Sequence, residues 1–272
     1  MENLTVAVIG AGTIGSAIAS SLAGNVGKVI ATRRNPLRID YLREKGVELL
    51  KDNEEACRKA DLVIFTLKPG IIVSEMKRLS PYLEGKTVIS FAAAIGIDLL
   101  KKASPKSRIV RAMTNMAVLV SSGYTVYSLE ENFPQDEISL IEELFSFFGR
   151  YVRVEERYMD ALTALSGSGP AYLYLIVEAL VYGGLMVGLP RELSLDAVAH
   201  TMIGAARLLL ESGRHPSELK EMVVTPGGVT IEGIYQLEDN RLRTALMKAI
   251  KSATEKAEEI TRQLLEKNSH LD

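Results

Sequence analysis

Tryptophan is absent from this chain, cysteine occurs once, at Cys57, and histidine three times, at His200, His215 and His270. A single cysteine excludes an internal disulfide framework, and three scattered imidazoles supply no metal-ligand cluster. A metal-free chemistry in a reducing, cytoplasmic compartment is therefore expected. An excess of one charge is also missing, since 32 basic and 34 acidic residues leave a formal net charge of −2 over 272 residues. Without a positive field there is no basis for counterion release from a phosphate backbone, so neither nucleic acid nor an anionic membrane surface is expected as a partner. The opening string MENLTVAVIGAG has neither the basic leader nor the cleavage site of a secretory signal, and export is not expected.

What is present is an ordinary globular composition, 47% hydrophobic and 24% charged, with a chain long enough for nearly two domains. The first half alternates short, mostly β-branched runs with segments whose apolar residues recur every three or four positions. The runs are Leu4–Ile9, Lys28–Ala31, Leu62–Phe65, Thr87–Ser90 and Arg108–Val110, followed by Tyr124–Tyr127 and Tyr151–Val154 around a helical stretch from about Gln135 to Phe148. This βαβ alternation predicts an α/β domain with a mainly parallel sheet covered on both faces. After Val154 the strand signal stops. Residues 171–187, 191–212 and 241–266 read as helices, the last with Leu246, Ile250, Ala253, Ala257, Ile260 and Leu264 along one face. An all-α second domain follows, and the boundary is placed at Glu155 and Glu156, dividing the chain into 1–155 and 156–272.

One stretch resembles a membrane span, because from Ser166 to Leu189 the only charged residue is Glu178. Its Ser-Gly-Ser-Gly-Pro opening, the Gly183–Gly184 pair and the charge argue against a span, and a helix apolar nearly all round can equally be buried against another subunit. At least a homodimer is expected on this ground.

Gly10, Gly12 and Gly15 form a G-x-G-x-x-G string directly after the first strand and at the opening of a helical segment. In that context the spacing is a dinucleotide fingerprint, with Ile9, Ala11, Thr13 and Ile14 completing the strand-to-helix turn. Gly10 permits the tight turn, Gly12 lets backbone amides approach a pyrophosphate, and Gly15 allows close helix packing, while the helix N-terminus offers unpaired N–H groups. A tight turn without a ligand would use the same residues. The second strand ends in Thr32, Arg33, Arg34 and Asn35, where an NAD site usually has a carboxylate for the ribose 2′-hydroxyl. Guanidinium forks suit a 2′-phosphate, so NADPH is favoured over NADH. A solvated basic loop is the alternative reading.

Four further strings join the fingerprint: Thr66-Leu67-Lys68-Pro69, Ser90-Phe91-Ala92-Ala93-Ala94-Ile95-Gly96-Ile97, Ser166-Gly167-Ser168-Gly169-Pro170-Ala171-Tyr172 and Thr225-Pro226-Gly227-Gly228-Val229-Thr230. Together they resemble the pyrroline-5-carboxylate reductase family from Leu4 to about Leu265. The resemblance implies a Rossmann-type domain, a helical domain exchanged between subunits of a dimer or larger ring, and reduction of a cyclic imine to L-proline with NADPH or NADH. It also implies cofactor contacts from Asn53, from Thr66 through Pro69 and from Ala92, Ala93 and Ala94. Glu156, Ser166, Ser168, Thr225, Gly227, Gly228, Val229 and Thr230 are implied for the substrate.

Thr230 stands at an expected helix start, where free N–H groups and a hydroxyl suit a carboxylate. The same hydroxyl, or a water it orients, is the expected hydrogen-bonding partner of the imine nitrogen; a plain helix cap is the rival role. The Ser166–Gly169 string is likewise read as a helix start able to face an anion, or else as small residues that admit a neighbouring subunit. Two departures from the family pattern stand out, Thr114 in place of proline and Met222 in place of asparagine. A related NADP-dependent reductase of another imine or hydroxy acid, or a non-catalytic NADPH-binding sensor, would share much of the first half.

Overall fold

The computed structural model describes residues 1–268. Among these residues one sheet is built from β1 (Thr5–Ile9), β2 (Lys28–Thr32), β3 (Glu48–Leu50), β4 (Leu62–Phe65), β5 (Thr87–Ser90), β6 (Arg108–Met113), β7 (Gly123–Leu129) and β8 (Gly149–Arg153). Their order is β3-β2-β1-β4-β5-β6-β7-β8, and the first six pair in parallel, the arrangement of doubly wound dinucleotide-binding folds. β7 runs antiparallel to β6 because only the short turn Met116–Val120 joins them, too little chain for a crossover helix. β8 then pairs in parallel with β7.

The helices are α1 (Thr13–Leu22), α2 (Asn53–Lys59), α3 (Pro69–Leu83), α4 (Ile97–Ala103), α5 (Gln135–Ser146), α6 (Met159–Leu162), α7 (Gly169–Met186), α8 (Arg191–Ser212), α9 (Pro216–Glu221), α10 (Val229–Asp239) and α11 (Leu242–Lys267). Successive strand residues point to opposite faces, so Val6 and Val8 pack with Ile18 and Leu22 of α1 and Phe145 of α5. Ala7 and Ile9 pack on the other face with Ile72 and Met76 of α3 and Leu100 of α4. Burial on both faces explains why these strands are continuous apolar runs rather than alternating ones.

Seven strands are expected from the sequence, and the structure has eight. β3 was not visible in the pattern because it is three residues long, pairs only with β2 and carries Glu48, which forms ion pairs with Lys28 and Lys59. Short charged strands of this kind protect a sheet edge.

The chain divides into two compact units: Met1–Pro170 with the residues from Ser252 on, and Ala171–Lys251. The sheet-bearing unit therefore extends beyond the boundary read at Glu155 and Glu156, and it takes back the second half of α11. Leu264 packs on the core that contains Ile72 and Met76.

The helical unit is organised by close turns. Gly188 has φ +90° and ends α7, and a Cβ on Gly184 would lie 2.4 Å from Ser194 Oγ, so α7 and α8 cross closely there. Between residues 171 and 251 only Val181 and Ser194 are buried, while Leu175, Met186 and Leu210 are 67%, 88% and 83% exposed. Two helical runs, Glu156–Met186 and Arg191–Ser212, are long and apolar enough to cross a membrane by length and composition alone.

Candidate active site

The fingerprint loop joins β1 to α1 at the carboxyl edge of the sheet, where doubly wound folds bind ligands. Gly10 takes φ +87°, and a Cβ there would come within 2.3 Å of Leu67 Cδ2. A Cβ on Gly15 would lie 2.2 Å from Thr66 Oγ1, so this glycine is needed for α1 to pack against the loop after β4. A Cβ on Gly12 would meet nothing of the protein nearer than the Gly10 carbonyl at 3.8 Å. Its lack of a side chain is thus not demanded by internal packing and leaves the backbone open to a ligand. Gly12 is also the N-cap of α1 and has no side chain to cap it, so the first N–H groups of the helix, from Thr13, Ile14 and Gly15, face outward as an anion site.

Neighbouring loops hold this turn in place. The Thr66 hydroxyl donates to the Gly10 carbonyl at 3.0 Å, and the Thr32 hydroxyl accepts from the Gly10 N–H at 3.3 Å. The Ala11 N–H donates to the Thr32 carbonyl at 2.8 Å. Thr32 is buried, so its hydroxyl shapes the loop. A cleft of about 270 Å³ opens beyond the end of β2, lined by Thr32, Arg33, Arg34, Lys51, Asn53, Leu67 and Glu75 among others. Asn53 is the first residue of α2 and donates from Nδ2 to Glu75 Oε1 at 2.7 Å. The Arg78 guanidinium beside Glu75 holds that carboxyl below the usual carboxylate range, with Asn53 assisting against the opposing effect of burial. Lys68 is exposed at the N-cap of α3, with Pro69 as the first helical residue. Lys51 and Glu75 were missed in the sequence, because both depend on β3 and α3 being brought to the same edge.

This cradle fits a phosphorylated dinucleotide: an open glycine backbone, an uncapped helix N-terminus and an adjoining cationic cleft whose carboxylate is already paired.

The loop after β5 lies beside that after β4, and Phe91 N–H donates to the Phe65 carbonyl at 2.9 Å. Ala92 and Ala94 are buried, Ala93 is half-buried, and Ala94 adopts φ +59°, an uncommon conformation for a residue with a Cβ. The Ala94 carbonyl is within 3.2 Å of Thr261 Oγ1 of α11, which also reaches Asp160 Oδ2 at 3.1 Å. Arg111, at the end of β6 and buried, pairs with Asp160 and with Glu156 Oε1 at 3.4 Å. Glu156 Oε1 in turn accepts from the Ile97 N–H at 2.6 Å. A buried guanidinium with two carboxylates and a helix amide thus braces this loop.

The reading of Ser166–Gly169 as a helix start is corrected by the structure. Residues Thr163–Gly167 form a π-turn that joins α6 to α7, and the Ser168 N–H donates to the Thr163 carbonyl at 2.9 Å. Pro170 has no N–H for the Ser166 carbonyl four residues earlier; instead Asn115 Nδ2 donates to that carbonyl at 3.1 Å. The Ser166 hydroxyl donates back to the Leu162 carbonyl at 2.8 Å, so the string presents no row of free amides. Thr114, the first departure from the family pattern, is buried and shares a 2.9 Å hydroxyl contact with Thr125.

In the helical unit, the Thr225–Thr230 loop leads into α10. Gly227 has φ +64°, the Gly228 N–H donates to the Thr225 carbonyl at 3.0 Å, and a Cβ on Gly228 would lie 2.3 Å from Thr225 Oγ1. Gly228 caps α10 without a side-chain hydrogen bond, Val229 is 90% exposed and Thr230 is half-buried in the first turn. Met222, the second departure, is exposed, and Arg214 Nη1 donates to its sulfur at 3.2 Å.

Residues 156–260 match the family model for pyrroline-5-carboxylate reductase dimerisation, and residues 5–94 match that for NADP oxidoreductase, coenzyme F420-dependent. Pyrroline-5-carboxylate reductase from Pisum sativum is 34% identical over 265 residues, covering 96% of this chain and 97% of the relative. The chain belongs to the pyrroline-5-carboxylate reductase family. A second family member, from Methanosarcina acetivorans, is 36% identical over 270 residues, with 96% of this chain and 99% of the relative covered. The crystal structure of the Plasmodium falciparum pyrroline carboxylate reductase with NADP bound has a TM-score of 0.89 at 31% identity, covering 96% of this chain and 99% of that one. The likeness to this reductase family spans both compact units, so the helical half is as much a part of it as the nucleotide fold.

Proposed function

We propose that the protein reduces the cyclic imine 1-pyrroline-5-carboxylate to L-proline, the last step of proline biosynthesis, in the cytoplasm and as a homodimer or an assembly of dimers. The observation that carries this reading is its family membership along nearly the whole chain. NADPH, when bound, supplies the hydride. The chain's own residues bind and orient. Gly12 and the first amides of α1 receive the pyrophosphate, and the cationic cleft beyond β2 receives the adenosine end. Thr66 through Pro69 and Ala92 through Ala94 form the adjoining walls at the sheet edge.

For the substrate, the uncapped first turn of α10 takes the carboxylate, with Thr225, Gly227, Gly228 and Val229 shaping its approach. The Thr230 hydroxyl hydrogen-bonds the imine nitrogen, directly or through a water, and favours the protonated, more electrophilic form. Glu156 keeps the substrate-facing role that the family resemblance implies without an unopposed negative charge, since Arg111 and the Ile97 N–H offset it. Ser166 and Ser168 contribute through the π-turn geometry rather than through a helix end.

Exposed apolar side chains on α7 and α8 are what a second copy would cover, which favours subunit contact over a membrane span for these helices.

Loss of NADPH absorbance on adding 1-pyrroline-5-carboxylate tests the reaction, and the same assay with NADH tests the cofactor. Turnover with neither overturns the reading. Thr230→Ala is expected to lower kcat by about a hundredfold while NADPH affinity stays within about twofold.

A further inference from the structure

The cleft beyond β2 holds more cations than the Arg33–Arg34 pair visible in the sequence, and the geometry divides their work. Arg33 is half-buried, its Nη1 donates to the Ala11 carbonyl at 3.0 Å, and its backbone N–H donates to the Leu50 carbonyl at 3.4 Å. That guanidinium braces the glycine loop. Arg34 is exposed and lines the cleft. Lys51 lines it too, because the parallel register that sets Leu50 beside Thr32 brings the end of β3 level with the end of β2. Neither Arg34 nor Lys51 has a hydrogen-bond or ion-pair partner among the described residues. Glu75 is the only carboxylate among the residues that line the cleft, and Arg78 Nη2 and Asn53 Nδ2 each bond it at 2.7 Å. Two cations from neighbouring strand ends, neither held in an ion pair, thus face a space whose carboxylate is already bonded by Arg78 and Asn53, and Arg34 acts on that carboxylate only through its charge.

We infer that Lys51 is a specificity-determining residue for a 2′-phosphorylated ribose, acting with Arg34 across the β2–β3 edge, while Arg33 is a positioning residue for the glycine loop. An arginine fork fixes direction and a lysine adds a flexible point charge, so together they can hold a phosphate dianion that a simple ribose diol would leave unmatched. The inference rests on the NADPH reading above and assigns the part of it that selects the phosphate.

Calorimetric titration of the full-length protein with adenosine 2′,5′-bisphosphate and with adenosine 5′-monophosphate tests it without any turnover. Lys51→Met is expected to weaken the bisphosphate by roughly tenfold while leaving the monophosphate within about twofold, and Lys51→Arg to restore most of the loss. Arg33→Met is expected to weaken both ligands by the same factor. The inference is overturned if Lys51→Met binds the bisphosphate as the unaltered protein does, or if Arg33→Met loses the bisphosphate selectively. If the unaltered protein shows no preference between the two ligands, the NADPH reading itself falls, an outcome separate from either variant result.

Discussion

In the sheet-bearing unit, Val8, Ile64 and Ile89 have no solvent exposure, because helices cover both faces of the strands that carry them. In the helical unit, side chains of similar size on α7 and α8 face solvent, and two buried residues are all that 81 residues of helix and turn achieve between Ala171 and Lys251. Both regions are rich in leucine, isoleucine and valine, so the difference is not one of composition. A sheet layered between helices closes a core within one chain, whereas a set of helices apolar on several sides needs a second surface. The nucleotide half is thus complete as a packing unit, and the helical half leaves apolar faces uncovered within one chain.

The strongest way to break this contrast is to put a charge on the exposed apolar face. Leu175→Lys is expected to raise the subunit dissociation constant by about a hundredfold or more, read by sedimentation across a dilution series. Cys57 supplies an internal control. Burial pushes its thiol up to about 12, so it should resist thiol reagents at pH 8 as long as the sheet-bearing unit stays closed. Cys57 is expected to remain unreactive in the Leu175→Lys protein. Rapid labelling there without denaturant would show that the nucleotide half also depends on assembly.

An effect of similar size, on folding rather than on assembly, is expected from Arg111→Met, which leaves the carboxylates of Glu156 and Asp160 without their cation. Breaking a buried pair from one side costs about 3 kcal/mol, measurable by urea unfolding at fixed protein concentration, with the assembly mass unchanged. The smallest effect belongs to Arg78→Met. Glu75 has its pKa lowered by Arg78, so this pair contributes stability that is full above the ordinary carboxylate pKa and fades as pH falls through the lowered value. The variant should lose about 0.5 kcal/mol at pH 7, after allowance for solvent screening, and the difference should shrink on acidification when thermal unfolding is followed to pH 3.

The apolar runs, the fingerprint glycines and the all-helical second half were legible because each is a local pattern with a fixed period or spacing. β3 was not, since three residues with a charge at the first position carry no periodicity, and with β3 went the placement of Lys51. The Ser166–Gly169 string misled for another reason. Small residues before a proline ordinarily mark a helix start, but here a π-turn absorbs the proline, and Asn115 serves the carbonyl it strands. That partner lies 51 residues away along the chain, beyond any local pattern. Arg33 posed the same difficulty at short range, because nothing in its identity reveals that its guanidinium turns back to the Ala11 carbonyl.

The return of α11 to the sheet-bearing unit bears on the order in which the molecule can be made. Thr261 meets the Ala94 carbonyl across 167 residues of chain, and Leu264 fills part of the core beside α3. During synthesis the strands emerge first, yet this piece of their packing waits until the whole helical unit has left the ribosome. Until then the nascent nucleotide fold lacks the cover that Leu264 gives its core and the Thr261 contact to the loop after β5. A contact made late in synthesis therefore completes the packing of strands made early in it.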